Sequence, residues 1–200
     1  MSGDAKVAYF NDLAPRWDQM PWPEDVGERV AAFCERACPA GARLVLDVGC
    51  GTGLLLAPLT KRLDREARVV ELDFALAMLA EVGRKPGDGR VRRVCADARA
   101  LPFPEGLFDA VLCFGILPHL GEARRAVGKL WRAVRPGGVL AVGHLMGSRE
   151  LNAKHQSFGG PVGEDFLPAA GEVAEILRAL GAVAVETEEA ADRYFVRGER

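Results

Sequence analysis

Three glycines at alternate positions are the first residues of this sequence whose type and spacing could do chemistry. Gly49, Gly51 and Gly53 follow a run of aliphatic residues in the stretch LVLDVGCGTG, positions 44–53. A glycine turn lets a ligand approach the bare backbone, and the N–H groups at the start of a following helix favour negative charge. The stretch therefore predicts a buried strand, a glycine turn and a helix that together hold a cofactor.

The spacing of this turn separates it from two other kinds of cofactor site. A dinucleotide turn, G-x-G-x-x-G, needs its third glycine at position 54, which is Leu54. A P-loop needs Gly-Lys followed by Ser or Thr, and the turn contains no such sequence. The spacing therefore disfavours an NAD-dependent oxidoreductase, and it excludes a nucleoside triphosphate site.

Acids and histidines follow the other predicted strands, at the rim where parallel sheets bind ligands. Asp73 and Asp97 come after the second and third strands, His119 and His144 after the fourth and fifth. An acid there can accept hydrogen bonds from ribose hydroxyls, and a histidine titrates near neutral pH and can act as a general base. His155, the third histidine, lies in the next segment. We expect these side chains to face one site.

Each of these residues also has a simpler interpretation, which the sequence leaves open. Asp73 stands where a helix over 74–82 would begin and could be its N-cap. His119 could pack or cap a loop, and His155 could be solvated. The three histidines could instead bind a metal ion, although their spacing matches no local zinc pattern.

The elements that must position these residues alternate between strand and helix patterns. Predicted strands cover 43–48, 68–72, 91–95, 108–114 and 139–145. A terminal antiparallel hairpin is predicted from 182–188 and 193–197, a helix around 24–37, and a turn at 135–138 from its Pro-Gly-Gly sequence. This alternation is typical of an α/β fold with a mostly parallel sheet.

Composition indicates one globular domain. Hydrophobic residues make up 49% of the chain and the formal net charge is −2, which gives no electrostatic sign of nucleic acid binding. We expect a single domain over 1–200, made of an N-terminal helical cap (1–40), a cofactor-binding core (41–147) and an acceptor-side segment with the C-terminal hairpin (148–200).

The cysteines and the start of the chain favour a cytoplasmic protein. The five cysteines are odd in number and contain no C-x-x-C pair, which argues against a disulfide framework or a thiolate zinc site. Residues 1–6 are polar, no apolar signal-peptide region follows, and no stretch is long enough to span a membrane. The oligomeric state stays open.

Three motifs taken together resemble those of the class I S-adenosylmethionine-dependent methyltransferases. They are LDVGCGTG with Asp73 following its last glycine by 20 residues, CADARALPFPEGLFDAVLC at 95–113, and LWRAVRPGGVLAV at 130–142. The opening YFNDLAPRWD, 9–18, resembles the N-terminal lid of the branch that methylates small molecules. The resemblance implies a Rossmann-like, seven-stranded, mostly parallel sheet with helices on both faces and an antiparallel C-terminal strand.

The resemblance also implies roles for individual residues, with S-adenosylmethionine as the cofactor. Asp73 would accept hydrogen bonds from the ribose hydroxyls, Asp97 from the exocyclic amine of adenine, and Asp47 would balance the amino or sulfonium charge. The candidate cofactor-binding residues are Asp47, Gly49, Cys50, Gly51, Gly53, Asp73, Phe74, Asp97, Ala98 and Phe114. His119, His144 and His155 are the candidate catalytic residues, as a base with hydrogen-bond donors that orient the acceptor.

Missing motifs indicate a small-molecule acceptor. FGILPHL, 114–120, differs from the Asn/Asp-Pro-Pro-aromatic motif of nucleic acid amino-methyltransferases, and Cys113 falls inside a predicted strand, where a nucleophilic cysteine is unexpected.

Five aromatic residues could form a lid and further walls over the site: Tyr9, Phe10, Trp17, Trp22 and Phe158. Two alternatives stay open: a catalytically silent protein that binds S-adenosylmethionine or S-adenosylhomocysteine, and a metal-assisted methyltransferase.

Overall fold

A seven-stranded sheet organises the part of the chain that the computed structural model describes, residues 3–85 and 88–200. The strands are β1 (Leu44–Val48), β2 (Arg68–Asp73), β3 (Val91–Cys95), β4 (Phe108–Phe114), β5 (Val134–His144), β6 (Val183–Ala190) and β7 (Arg193–Glu199). Their order is β3-β2-β1-β4-β5-β7-β6, and β7 alone runs against the others. The predicted sheet with a reversed last strand is confirmed.

Helices connect the strands and cover both faces of the sheet. They are α1 (Gly3–Leu13), α2 (Val26–Ala37), α3 (Leu56–Arg62), α4 (Leu76–Arg84), α5 (Ala123–Ala133), α6 (Ser148–Phe158) and α7 (Ala170–Ala179). Within the described ranges, no helix has the length and apolar character needed to cross a bilayer. Residues 1, 2, 86 and 87 of the predicted single domain lie outside those ranges, and its division into cap, core and acceptor segment stays a prediction.

The central strands contribute to two cores, one on each face of the sheet. In β4, Val111 and Cys113 face the core formed with α5 and α7, whereas Ala110 and Leu112 face the core formed with α2 and α3. This alternation follows from the two-residue period of a strand. Because both faces are covered, the central strands β1 and β4 are largely apolar, as the sequence indicated, with Asp47 and Asp109 as the exceptions.

The predicted turn at 135–138 is wrong, because β5 begins earlier, at Val134. The Pro-Gly-Gly sequence bends the strand without ending it: Gly137 has φ +73°, and the β4–β5 register shifts between Phe108 and Ala110. This part of β5 pairs with Arg200, a contact that the sequence pattern could not reveal. Gly137 N donates to Arg200 O, and Arg200 N donates to Gly138 O at 2.9 Å.

The N-terminal segment packs against α4, beside the glycine turn. Phe10 and Ala14 form a small core with Ala75 and Met78. Asn11 Oδ1 accepts a hydrogen bond of 2.9 Å from Ala77 N, one of the N–H groups that the first turn of α4 leaves without a helical partner. A side chain from α1 thus caps α4 from outside the helix.

We predict opposite effects on stability for two glycine substitutions. Gly128 lies inside α5 with open space around it, so Gly128→Ala should raise the free energy of unfolding by about 0.5–1 kcal/mol. At Gly143 in β5, an added Cβ would overlap the Phe33 ring and lie 2.8 Å from Phe114 Cδ2. Gly143→Ala should lower the free energy of unfolding by about 1–3 kcal/mol, because both rings must shift. Urea unfolding measures both changes, and a stabilising Gly143→Ala would contradict this packing.

Candidate functional site

The carboxyl ends of the parallel strands open onto a cavity of about 310 Å³. It lies where the strand order reverses between β1 and β4, the place at which open parallel sheets bind ligands. Nine of the ten predicted cofactor-binding residues line it: Asp47, Gly49, Cys50, Gly51, Asp73, Phe74, Asp97, Ala98 and Phe114. All three histidines line it as well, on the side of β4, β5 and α6.

The glycine turn folds back onto the end of β2. Gly49 N and Cys50 N both donate to Leu72 O, at 2.7 and 3.0 Å, and Gly51 N donates to Asp73 Oδ2 at 2.9 Å. Gly49 has φ +66°, and a Cβ there would overlap the side chain of Ile116. The turn therefore requires glycine at position 49 both for its backbone conformation and for space.

Asp73 holds the glycine turn and is not the N-cap residue of α4, which is Ala75, so the simpler of its two interpretations is wrong and the ribose role stays a prediction. Its second carboxylate oxygen accepts from Ala75 N at 2.8 Å, while α4 begins at Leu76 without a side-chain cap. Burial raises the pKa of the Asp73 carboxyl, although the N–H donors of Ala75 and Gly51 act in the opposite direction. An ionised carboxylate has about four acceptor positions, so it keeps capacity for ligand hydroxyls.

Asp97 and Gly53 both make contacts within the fold that limit their use by a ligand. The Asp97 carboxylate caps the short helix Ala98–Ala100 by accepting from Arg99 N at 2.8 Å, and it pairs with the Arg99 guanidinium, which lowers the pKa of Asp97. Gly53 does not line the cavity: a Cβ there would lie 3.3 Å from Val82 Cγ2, so this glycine permits the close approach of α4.

Two buried acids lie side by side beneath the turn, and the sequence analysis missed one of them. Asp47 and Glu71 are paired residues of β1 and β2, with exposed fractions of 1% and 0%. Asp47 Oδ2 and both carboxylate oxygens of Glu71 have no hydrogen-bond partner among the described residues. Burial raises the pKa of both groups, for Glu71 to about 7. The available signal was Glu71 itself, an acid between the aliphatic residues Val70 and Leu72 of a predicted strand.

The three histidines lie on three different elements and have different partners. His119 belongs to the short helix Leu117–Leu120, and its Nδ1 lies 2.6 Å from Asp165 Oδ2. His155, on α6, has its Nδ1 3.0 Å from the backbone oxygen of Asp165, and its ring centroid lies 5.4 Å from that of His119. His144 ends β5, and its Nδ1 accepts a hydrogen bond of 3.1 Å from Met146 N.

The surroundings of the histidines oppose protonation at two of them. Burial, together with the nearby His119, His155 and Lys154, lowers the pKa of His144 to about 3. Burial also lowers the pKa of His155, against the hydrogen bond to the backbone of Asp165. Both rings are therefore neutral at neutral pH.

The histidines do not form the metal site that the sequence left open. Across residues 3–85 and 88–200, no three His, Cys, Asp or Glu side chains come together in a group that could hold a metal ion. Cys113, the cysteine considered as a nucleophile, is buried in β4, and its burial raises the pKa of the thiol. Burial likewise raises the pKa of Cys50, which lines the cavity.

Asp165 and Lys6 belong to the site and were missed by the sequence analysis. Lys6, on α1, forms an ion pair with the Asp165 carboxylate, which also contacts His119. Hydrogen bonds from His119 and Lys6 lower the pKa of Asp165 despite its burial. Asp165 follows no strand and belongs to no motif, so no local pattern identified it.

The N-terminal segment forms one wall of the cavity. Phe10, Trp17 and Trp22 line it, as does Phe158 of α6, whereas Tyr9 packs against Phe10 from outside the lining. This wall is tied to the glycine turn, because Thr52 Oγ1 donates to Asp18 Oδ1 at 2.5 Å and Lys85 pairs with Asp18 at 2.9 Å.

Comparison with known proteins shows a shared core and a shared fold. A family profile described as a methyltransferase domain matches residues 46–142, from β1 to β5. The demethylmenaquinone methyltransferase of Thermus thermophilus is 38% identical over 141 residues, which cover 66% of this chain and 62% of that protein. The chain spans about three fifths of the length of the curated relatives it matches.

Two solved structures extend the likeness over the whole chain. The structure described as the DhpI-SAM-HEP complex is 24% identical and covers 100% of both chains, with a TM-score of 0.75. A SAM-dependent methyltransferase from Aquifex aeolicus is 20% identical and covers 96% of this chain and 97% of that chain, with a TM-score of 0.70. At these identities the likeness concerns the fold.

We predict that Glu71 makes stability depend on pH. Its folded-state pKa of about 7 exceeds its ordinary value of 4.5, so the folded protein holds a proton there that the unfolded chain releases, and stability is lost as pH rises from about 4.5 to 7. Between pH 5 and 8, the free energy of unfolding of the wild type should fall by about 1–3 kcal/mol more than that of Glu71→Gln. Glu66→Gln, at an exposed site, is the matched control in urea unfolding. Equal pH dependence in all three proteins would contradict a protonated Glu71.

Proposed function

Because this chain belongs to the class I S-adenosylmethionine-dependent methyltransferase family, we propose that it transfers a methyl group from S-adenosylmethionine to a small-molecule acceptor. One observation carries this proposal: a single cavity joins the glycine turn and its acids to three histidines on neighbouring strand ends. A methyl acceptor at the histidine side would lie beside a donor held at the turn, which is the requirement of an in-line displacement.

The residues at the turn fit this donor. Gly49 and Gly51 leave the backbone bare for close approach, and Asp73 keeps acceptor positions for the ribose hydroxyls. Asp47, which lines the cavity, contributes a buried carboxylate oxygen that has no partner among the described residues, and this oxygen favours a ligand with sulfonium and ammonium charges. When bound, S-adenosylmethionine supplies an electrophilic methyl group.

The chain's own contribution to the reaction is to orient the acceptor, exclude water and handle its proton. Phe10, Trp17, Trp22 and Phe158 form an aromatic wall that fits an acceptor with an apolar body. The histidines then act as a base and as hydrogen-bond donors to the acceptor. The relatives named demethylmenaquinone methyltransferase support a small molecule in this role. A cytoplasmic location stays a prediction of the sequence.

We predict that S-adenosylhomocysteine binds the full chain and that Asp73 contributes to its affinity. Asp73→Asn should weaken binding about 10- to 100-fold, because charged hydrogen bonds to the ribose are worth about 1.5–3 kcal/mol. Isothermal titration calorimetry measures this, with NAD as the control ligand and with the exposed Asp64→Asn as the matched control variant. Thermal unfolding of both variants checks that they are folded.

The outcomes separate the alternatives. Binding of S-adenosylhomocysteine that Asp73→Asn weakens and Asp64→Asn leaves unchanged supports the donor site, and NAD binding in its place would favour the oxidoreductase. Folded wild-type protein that binds neither ligand would contradict the proposed function. Binding without methyl transfer to any of a panel of phenols, thiols and amines would favour the catalytically silent binder.

A further inference from the structure

The partners of the three Nδ1 atoms fix which nitrogen of each imidazole carries the proton. Carboxylate and carbonyl oxygens only accept hydrogen bonds, and a backbone N–H only donates. His119 and His155 contact oxygens of Asp165, so the Nδ1 of each ring carries a hydrogen, and in the neutral form of the ring Nε2 keeps a lone pair. His144 accepts from Met146 N, so its hydrogen lies on Nε2.

In their neutral forms the three rings therefore offer different chemistry to a ligand. His144 can only donate through Nε2, which excludes it as a proton acceptor in this arrangement. His119 and His155 can each accept through Nε2, but their supports differ: a carboxylate for His119 and a neutral carbonyl for His155. An imidazolium is stabilised by a carboxylate at its other nitrogen. The contacts thus single out His119.

Several contacts hold the carboxylate and the ring in place. The side chains of Lys6, His119 and Asp165 are only 17%, 15% and 9% exposed. Lys6 pairs with one oxygen of Asp165 while His119 contacts the other, so both carboxylate oxygens are engaged. The edge of the Phe10 ring packs on His119, with centroids 5.3 Å apart. A ring fixed on three sides presents Nε2 in one orientation.

We propose that Asp165 positions His119 as the proton acceptor for a weakly acidic hydroxyl group of the methyl acceptor, and that His144 donates a hydrogen bond to the same oxygen. This inference rests on the proposed function and narrows its acceptor to an apolar molecule with an ionisable hydroxyl, such as a phenol. Asp165 is a positioning residue, because it acts through His119.

The step balances without any further reactant. The hydroxyl proton passes to His119 Nε2, and an oxygen lone pair forms the new bond to the methyl carbon. The electrons of the broken carbon–sulfur bond stay on sulfur, which becomes a neutral thioether, and the acceptor becomes a methyl ether. The His119 imidazolium is paired with Asp165 until its proton passes to water.

The first test is the tautomer of each histidine, measured by ¹⁵N NMR of the full chain with S-adenosylhomocysteine. The chain has three histidines, so the signals can be assigned by single substitution. We expect Nδ1–H at His119 and His155 and Nε2–H at His144. Asp165→Ala should shift His119 toward the Nε2–H form, whereas Asp12→Asn, an exposed acid on α1, should leave it unchanged. Nε2–H at His119 in the wild type would overturn the proposal.

The second test uses 4-nitrophenol, whose phenolate is yellow and whose neutral form is not, added to the same complex at pH 6. In the wild type we expect the bound probe to be mainly phenolate, and in Asp165→Asn the ratio of phenolate to neutral probe should fall about tenfold, which corresponds to one pKa unit. A probe that binds only in its neutral form, equal ionisation in the two proteins, or no probe binding would each overturn the proposal. Failure to bind S-adenosylhomocysteine would overturn the proposed function itself, so failure of this proposal and failure of the proposed function give different results.

Discussion

The hydrogen bonds between the glycine turn and the end of β2 are the interaction on which the rest of the site depends. Leu72 O accepts from two successive N–H groups of the turn, and Asp73 accepts from a third. These bonds fold the turn over the sheet edge, bring Asp73 next to the bare backbone, and leave Asp47 and Glu71 covered beneath it. Without this fold-back, parallel strands would end at the same rim but no enclosed ligand site would form there.

The cavity is electrically asymmetric as a result. On the β1–β2 side, carboxylates lie buried with oxygens that have no partner among the described residues. On the β4–β5 side, neutral imidazoles and aromatic rings predominate, and the Asp165 charge is compensated by Lys6. The cationic donor and the apolar acceptor of the proposed reaction would therefore each find a complement on a different side of the cavity.

The sequence predicted what depends on local pattern and missed what depends on distant contacts. The third and fourth strands agree with the predicted 91–95 and 108–114, because short runs with β-branched or apolar residues bounded by turn residues indicate strands. The turn expected at 135–138 was wrong because the last residue of the chain pairs with it. Asp165 meets His119 across 46 positions of sequence, and no periodicity encodes such a contact. The hydrogen bond from Gly51 to Asp73 likewise joins residues 22 positions apart, so local pattern could not predict it.

The N-terminal segment is attached at both sides of the cavity. Asp18 binds Thr52 beside the glycine turn, Asn11 caps α4, and Lys6 pairs with Asp165 beside His119. These polar contacts act together with the packing of Phe10 and Ala14 against α4. A protein without this segment would lack both the aromatic wall and the Lys6 charge next to Asp165. Exclusion of solvent and completion of the charge network at the histidines therefore depend on the same segment of the chain.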